Sequence, residues 1–130
     1  MSSSAQPEFF VDRSLGKRSV EALRDAGYLV HHLSEVYPND AQDIADEAWI
    51  ADGCARGWCF LTKDKKIRYR AHELSALDGR MFCLANGNLK GAEAIQRFLD
   101  AMPAIFRAIE AHPVGFWRVY ESGRIEQGWK

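Results

Sequence analysis

Short apolar runs alternate along the chain with segments of helical spacing. Phe9-Phe10-Val11 is a β-prone run that ends at Asp12 and reads as a buried strand. Leu15, Ala22, Leu23 and Ala26 then fall on one helical face, and Gly27 supplies a helix-stop signal. Tyr28-Leu29-Val30-His31-His32-Leu33 reads as a second strand. Pro38-Asn39-Asp40 punctuates the chain, and Asn39 or Asp40 is a candidate cap for a helical stripe of Ile44, Ala45, Ala48, Trp49 and Ala55 that closes at Gly57. Trp58 to Thr62 is a third strand ending at Lys63-Asp64, and a short helix is expected over Ala71 to Leu77 before Asp78-Gly79. Met81 to Ala85 is a fourth strand, ending at Asn86-Gly87-Asn88. The strongest helical period follows: Ile95, Phe98, Leu99, Met102, Ile105, Phe106 and Ile109. Pro103 lies inside that stripe and predicts a kink or two abutting helices. Phe116 to Tyr120, Ser122-Gly123 and Arg124-Ile125 predict a terminal strand or hairpin.

Strands alternating with helices predict an α/β domain: a three-layer α/β/α sandwich on a mainly parallel sheet, closed by the C-terminal strand or hairpin. Right-handed crossovers are expected to set most of its topology. A length of 130 residues suits one domain, placed over 8–130 behind a flexible tail of 1–7. The tail lacks the basic and apolar regions of a signal peptide, and no apolar run approaches the ~18 residues of a membrane span. A cytoplasmic location is therefore expected. Lys plus Arg is 17 against 18 for Asp plus Glu, which excludes a polycation that grips nucleic acid through bulk charge. Cys54, Cys59 and Cys83 form no CxxC pair, so they read as reduced thiols rather than a disulfide framework or zinc knuckle.

The candidate chemistry is acidic. Ligands of open parallel sheets bind outside the carboxyl ends of the strands. Asp12 and Asp64 sit where two apolar strands run out, and Asp46 lies in the helix expected before the second of them; if that helix starts near Asp46, its amino end faces the same rim. An Asp at such a position also serves as a turn former or helix cap. Gathered in one cleft, three carboxylates repel, and the natural compensation is a hard divalent cation held by oxygen ligands, Mg²⁺ or Mn²⁺ rather than zinc. Such an ion acidifies water and neutralises charge on a phosphodiester under in-line attack. Beside Asp64 lie Lys63, Lys65, Lys66, Arg68 and Arg70, with Tyr69 among them, and Arg13 follows Asp12. This basic strip suits a phosphate backbone, with the aromatic available for stacking; it also reads as a solvated loop.

At these acids the chain resembles a known family. Phe9-Phe10-Val11-Asp12-Arg13-Ser14-Leu15 is similar to the opening strand of PIN-like nuclease domains. Asp46-Glu47-Ala48-Trp49-Ile50 with Leu61-Thr62-Lys63-Asp64-Lys65 resembles the second half of that pattern in its toxin-like members. The resemblance implies the α/β/α sandwich, a Mg²⁺ or Mn²⁺ site on Asp12, Asp46 and Asp64, and endoribonuclease activity on single-stranded RNA. It further implies a VapC-type toxin of a type II toxin–antitoxin pair, dimeric and silenced by a cognate antitoxin. Many relatives carry another acid two residues after the third, where this chain has Lys66. Glu73, Asp43 and Glu47 are the further acids that could complete the set.

A different class of reading remains: a degenerate PIN-like module that binds RNA or a partner without cutting. A phosphoacceptor receiver domain is disfavoured, because receivers want paired acids where Asp12 is followed by Arg13. His31 and His32 are adjacent and point opposite ways on a strand, which suits structural roles. Cys54, Cys59, Trp49, Trp58 and the Ile95–Ile109 stripe read as packing residues. Any exposed remainder of that stripe would mark a dimer or antitoxin surface.

Overall fold

The computed structural model describes residues 6–37, 44–64, 66–67 and 78–129. These form β1 (Glu8–Val11), α1 (Lys17–Asp25), β2 (Leu29–His32), α2 (Leu33–Val36), α3 (Asp46–Ala55), β3 (Cys59–Thr62), β4 (Arg80–Leu84), α4 (Gly91–Ala111), β5 (Gly115–Val119), a 3-10 turn (Glu121–Gly123) and β6 (Ile125–Trp129). Residues 1–5 of the expected tail and the expected helix over 71–77 lie outside the described residues, as do Asn39, Asp40 and Tyr69.

The sheet has the order β2-β1-β3-β4-β5-β6. β1 pairs in parallel with β2 and β3, β3 with β4 and β4 with β5, while β6 returns antiparallel to β5. Strand alternation divides the core. Phe9, Val11, Leu61, Phe82 and Trp117 face one side and pack against Val20 and Leu23 of α1 and Phe98, Met102 and Ile105 of α4. Phe10, Phe60, Met81 and Phe116 face the other side and meet Leu33, Trp49 and Ile50. The result is an α/β/α sandwich on a mixed, mostly parallel sheet.

Two features of α4 sharpen the expectations. It is one helix of 21 residues with Pro103 inside it, not two abutting helices. Its continuous stripe of Phe98, Met102 and Ile105 lies in the core and holds the segment together where a backbone hydrogen bond is missing. The second feature is topological. The step from β1 to β2 and the step from β4 to β5 run toward opposite sheet edges, yet α1 and α4 cover the same face. Their crossovers therefore have opposite hands, so a single hand does not set the whole topology. Burial against α1 is what draws α4 to that face.

Local rules account for the joints. The C-terminal hairpin turns at Ser122 (φ 61°) and Gly123 (φ 75°), both left-handed. A Cβ on Gly123 would also lie 2.7 Å from the Asp100 carbonyl oxygen, so glycine is needed there twice over. Leu33, read from the sequence as the end of β2, instead opens α2. His32 caps that turn: its Nδ1 accepts from Ser34 N at 3.1 Å, and Glu35 accepts from His32 N at 2.9 Å. The two histidines do diverge. His31 stacks on Trp58 at 4.0 Å and bonds Glu8, while the His32 Nε2 reaches the Leu15 carbonyl. Cys59 and Cys83 are buried, Cys54 is half-buried, and none of the three forms a disulfide. Along α4, Leu99, Phe106 and Ile109 pack onto the core, and the exposed large apolar side chain among the described residues is Leu29 on edge strand β2. The α4 stripe thus leaves no exposed remainder there. No helix among the described residues is long and apolar enough to cross a membrane.

Candidate functional site

The carboxyl ends of β1 and β3 are adjacent, and the first residue beyond β1 is Asp12. Continuing the alternation, Asp12 and Thr62 point to the α3 side of the sheet. Asp12 is buried, and both its oxygens accept hydrogen bonds. Oδ2 accepts from the Thr62 hydroxyl at 2.6 Å, while Oδ1 accepts from Ser14 N at 2.9 Å and from the Ser14 hydroxyl. Each hydroxyl in turn accepts from the loop leaving β3: Lys63 N donates to Ser14 Oγ and Asp64 N to Thr62 Oγ1, both at 3.1 Å. Amide, hydroxyl and carboxylate thus form two short relays that stitch the two strand exits together. These bonds occupy three of the roughly four lone-pair sites of the carboxylate and leave one, on Oδ2.

Burial pushes the Asp12 carboxyl above its ordinary 3.8; the Ser14 and Thr62 bonds oppose the shift, and the charge of Asp64 adds to it. What counters the desolvation is hydroxyl and amide dipoles, with no cation among the causes. A carboxylate held in this way gains from any positive charge placed beside it.

Asp12, Asp64 and Asp46 line a single cavity of about 410 Å³, together with Arg13, Ser14, Leu33, Ile44 and Trp49. The helix α3 starts at Asp46, which puts its amino end at the same rim. Asp46 Oδ1 accepts from the Trp49 indole at 2.9 Å, one turn along α3. Asp64 is exposed, and its Oδ1 accepts from Lys66 N at 3.0 Å, so it is a turn former as well as a cavity wall. Glu47 is exposed and does not line the cavity, because the register of α3 turns Asp46 and Trp49 inward instead. Asp43 and Glu73 lie outside the described residues.

The basic strip is only partly described. Arg13 lines the acidic cavity. Lys63 donates from Nζ to the Leu89 carbonyl at 3.2 Å and lines an adjoining cavity with Ser14, Asp64, Gly87 and Asn88. Lys66 is exposed. Lys65, Arg68 and Arg70 lie outside the described residues.

The donor chemistry around Asp12 fits a hard divalent cation: carboxylates and hydroxyls, with a free lone pair on a buried carboxylate. Asp12 and Asp64 are the pair that would hold it, with Asp46 on the wall of the same cavity. Among the described residues, however, no three His, Cys, Asp or Glu side chains converge closely enough to hold one ion. The expected trio therefore shares a chamber without forming a closed cage. Ser14 and Thr62 were not singled out from sequence. Their signal is positional: Ser14 is two residues after Asp12, and Thr62, two before Asp64, is the polar end of an otherwise apolar strand.

A family model described as PIN like domain matches residues 7–86, a segment that carries Asp12, Asp46 and Asp64. No curated protein and no solved structure matches the chain. With more than half its length matched, and with the α/β/α sandwich in place, the chain belongs to the PIN-like domain family.

Proposed function

We propose that the chain is a Mg²⁺- or Mn²⁺-dependent endoribonuclease. One observation carries this reading: a buried carboxylate, Asp12, is braced by hydroxyls on one side and opens on the other to a cavity that Asp64 and Asp46 share. A divalent ion bound there supplies charge neutralisation at a scissile phosphate and acidifies water. The chain's own residues do the rest. Asp12 and Asp64 bind, Ser14 and Thr62 keep the Asp12 carboxylate from rotating, and Arg13 and Lys63 attract and align an RNA backbone.

The family resemblance further supports a toxin of a type II toxin–antitoxin pair, acting in the cytoplasm as a homodimer held silent by an antitoxin. A second reading, a PIN-like module that binds RNA or a partner without cleavage, is favoured by the Trp49 bond on Asp46 and by Lys66 where relatives carry an acid.

The test is cleavage of a single-stranded RNA pool by the purified chain with Mn²⁺. Asp12→Asn and Asp64→Asn should each lower the rate by more than about 100-fold while circular dichroism stays unchanged. Cleavage that persists in both variants, or runs equally fast in chelator, rejects the reading. Wild-type RNA binding with no cleavage at any metal concentration selects the binding module.

A further inference from the structure

The acidic cavity has a neighbour. Ser14 and Asp64 form a shared wall, beyond which lies a second chamber of about 270 Å³ lined by Lys63, Gly87 and Asn88. The two open side by side along the carboxyl rim of the sheet, one behind β1 and β3, the other between β3 and the exit of β4. Because the two share Ser14 and Asp64, a strand whose phosphodiester sits at Asp12 and Asp64 has this second chamber within reach of a neighbouring nucleotide.

The side chains there have distinct duties. Lys63 is tethered, its Nζ donating to the Leu89 carbonyl, which sets a positive charge at the chamber while leaving two of its three protons for a phosphate. Asn86 is consumed by the turn: its Oδ1 accepts from Asn88 N at 3.0 Å. Asn88 is different. It is exposed, and its carboxamide has no hydrogen-bond partner among the described residues, so a donor and an acceptor stand side by side on the chamber wall. The Asn86 bond fixes the backbone at position 88 and leaves that carboxamide unused. Asn88 also lies beyond the segment 7–86 that matches the family.

The geometry points to a base-reading subsite in this second chamber, with Asn88 as the residue that discriminates the nucleotide next to the cleaved bond and Lys63 as the contact to its phosphate. This rests on the ribonuclease reading above. A carboxamide meets the paired donor and acceptor on the Watson–Crick edge of an unstacked base, which is how single-stranded RNA is read. A carboxylate in the same place offers acceptors only. Guanine alone answers with two adjacent donors, N1–H and the N2 amine. Asn88→Asp should therefore move the preference toward guanine.

The experiment measures fluorescence anisotropy of short uridine oligoribonucleotides, each carrying a single adenine, cytosine or guanine, in chelator, followed by sequencing of cleavage ends in Mn²⁺. Asn88→Asp is expected to raise relative affinity for the guanine oligomer by about 10-fold, even if all affinities fall with the added charge. Asn88→Ala should flatten the differences. Lys63→Ala should weaken all oligomers alike and reduce the salt slope by about one. Relative affinities unchanged within experimental error in both Asn88 variants overturn the subsite. The two readings separate cleanly: shifted preference without wild-type cleavage removes the nuclease and leaves the subsite, whereas cleavage with unshifted ends removes the subsite and leaves the nuclease. Wild-type protein that binds no oligomer removes both.

Discussion

On the face covered by α1 and α4 the buried side chains make one continuous apolar layer, from Val30 and Phe9 through Phe82 to Trp117 and Val119. On the face covered by α3 the layer is aromatic and shorter, built around Phe10, Phe60 and Trp49, and it gives out at Asp12 and Thr62. The first face is a seal. The second is a hinge between core and solvent, where hydroxyls replace methyls at the strand ends. The helices differ in the same way. α4 has a clean stripe, whereas α3 buries Trp49, Ile50 and Gly53 with Ala51 and Asp52 interrupting them. A helix that only packs can be regular. One that must also bring an acid to a rim is bound by closeness instead: a Cβ on Gly53 would stand 2.5 Å from the Phe60 ring.

The contrast can be broken at four places. Phe98→Ala, in the sealed face, should cost about 3–5 kcal/mol in urea unfolding, because the layer around it cannot collapse into the void. Gly53→Ala should cost about 1–3 kcal/mol, since it forces α3 off Phe60 and Phe10, and it should also reduce Mn²⁺-dependent cleavage by displacing Asp46. A sealed-face variant of equal destabilisation that lowers cleavage as much, under conditions where both chains are folded, would erase the distinction between the faces.

Asp12→Asn acts on the charge instead and should remove a fall in the stability of the metal-free chain with rising pH. The sign follows from linkage. The folded-state carboxyl lies above its ordinary 3.8, so between that value and the raised one the folded chain keeps a proton that the unfolded chain has lost. Stability therefore falls as pH climbs through this window and levels off above it. The Asn variant should show no such fall, and Mn²⁺ should raise the melting temperature of the wild type but not of the variant. A wild-type stability curve without that decline would show the site to be better solvated than its burial indicates. The smallest effect is expected at Tyr37→Phe. The Tyr37 hydroxyl, pushed up to about 12 chiefly by burial and by its 2.6 Å bond to Asp52, sits away from the acidic cavity. Its loss should cost about 1 kcal/mol and leave cleavage unchanged.

Much of this was legible from the chain alone, for a local reason. Strand and helix periods are short-range, so β1, β3, β4 and α4 stand where the pattern places them, and an acid directly after an apolar strand must emerge at the sheet's rim. That is why the pattern alone places Asp12 and Asp64 at the rim, whereas α3 starts at Asp46, after the Ile44 and Ala45 that open its expected stripe. Which of Asp46 and Glu47 lines the cavity was not legible for the complementary reason: a shift of one residue on a helix turns a side chain by about 100°, and the run of acids does not say which one faces in.

The amino-acid sequence by itself determined the alternation of elements, the two-sided core and the positions of the acids at strand ends, because each depends on spacing within one segment. Only the tertiary structure decided that α4 crosses with the opposite hand, that Ser14 and Thr62 brace Asp12, and that Asn88 and Lys63 line one chamber. Those outcomes depend on how segments far apart in the chain meet, where burial of whole faces and the reach of single hydroxyls outweigh any local preference.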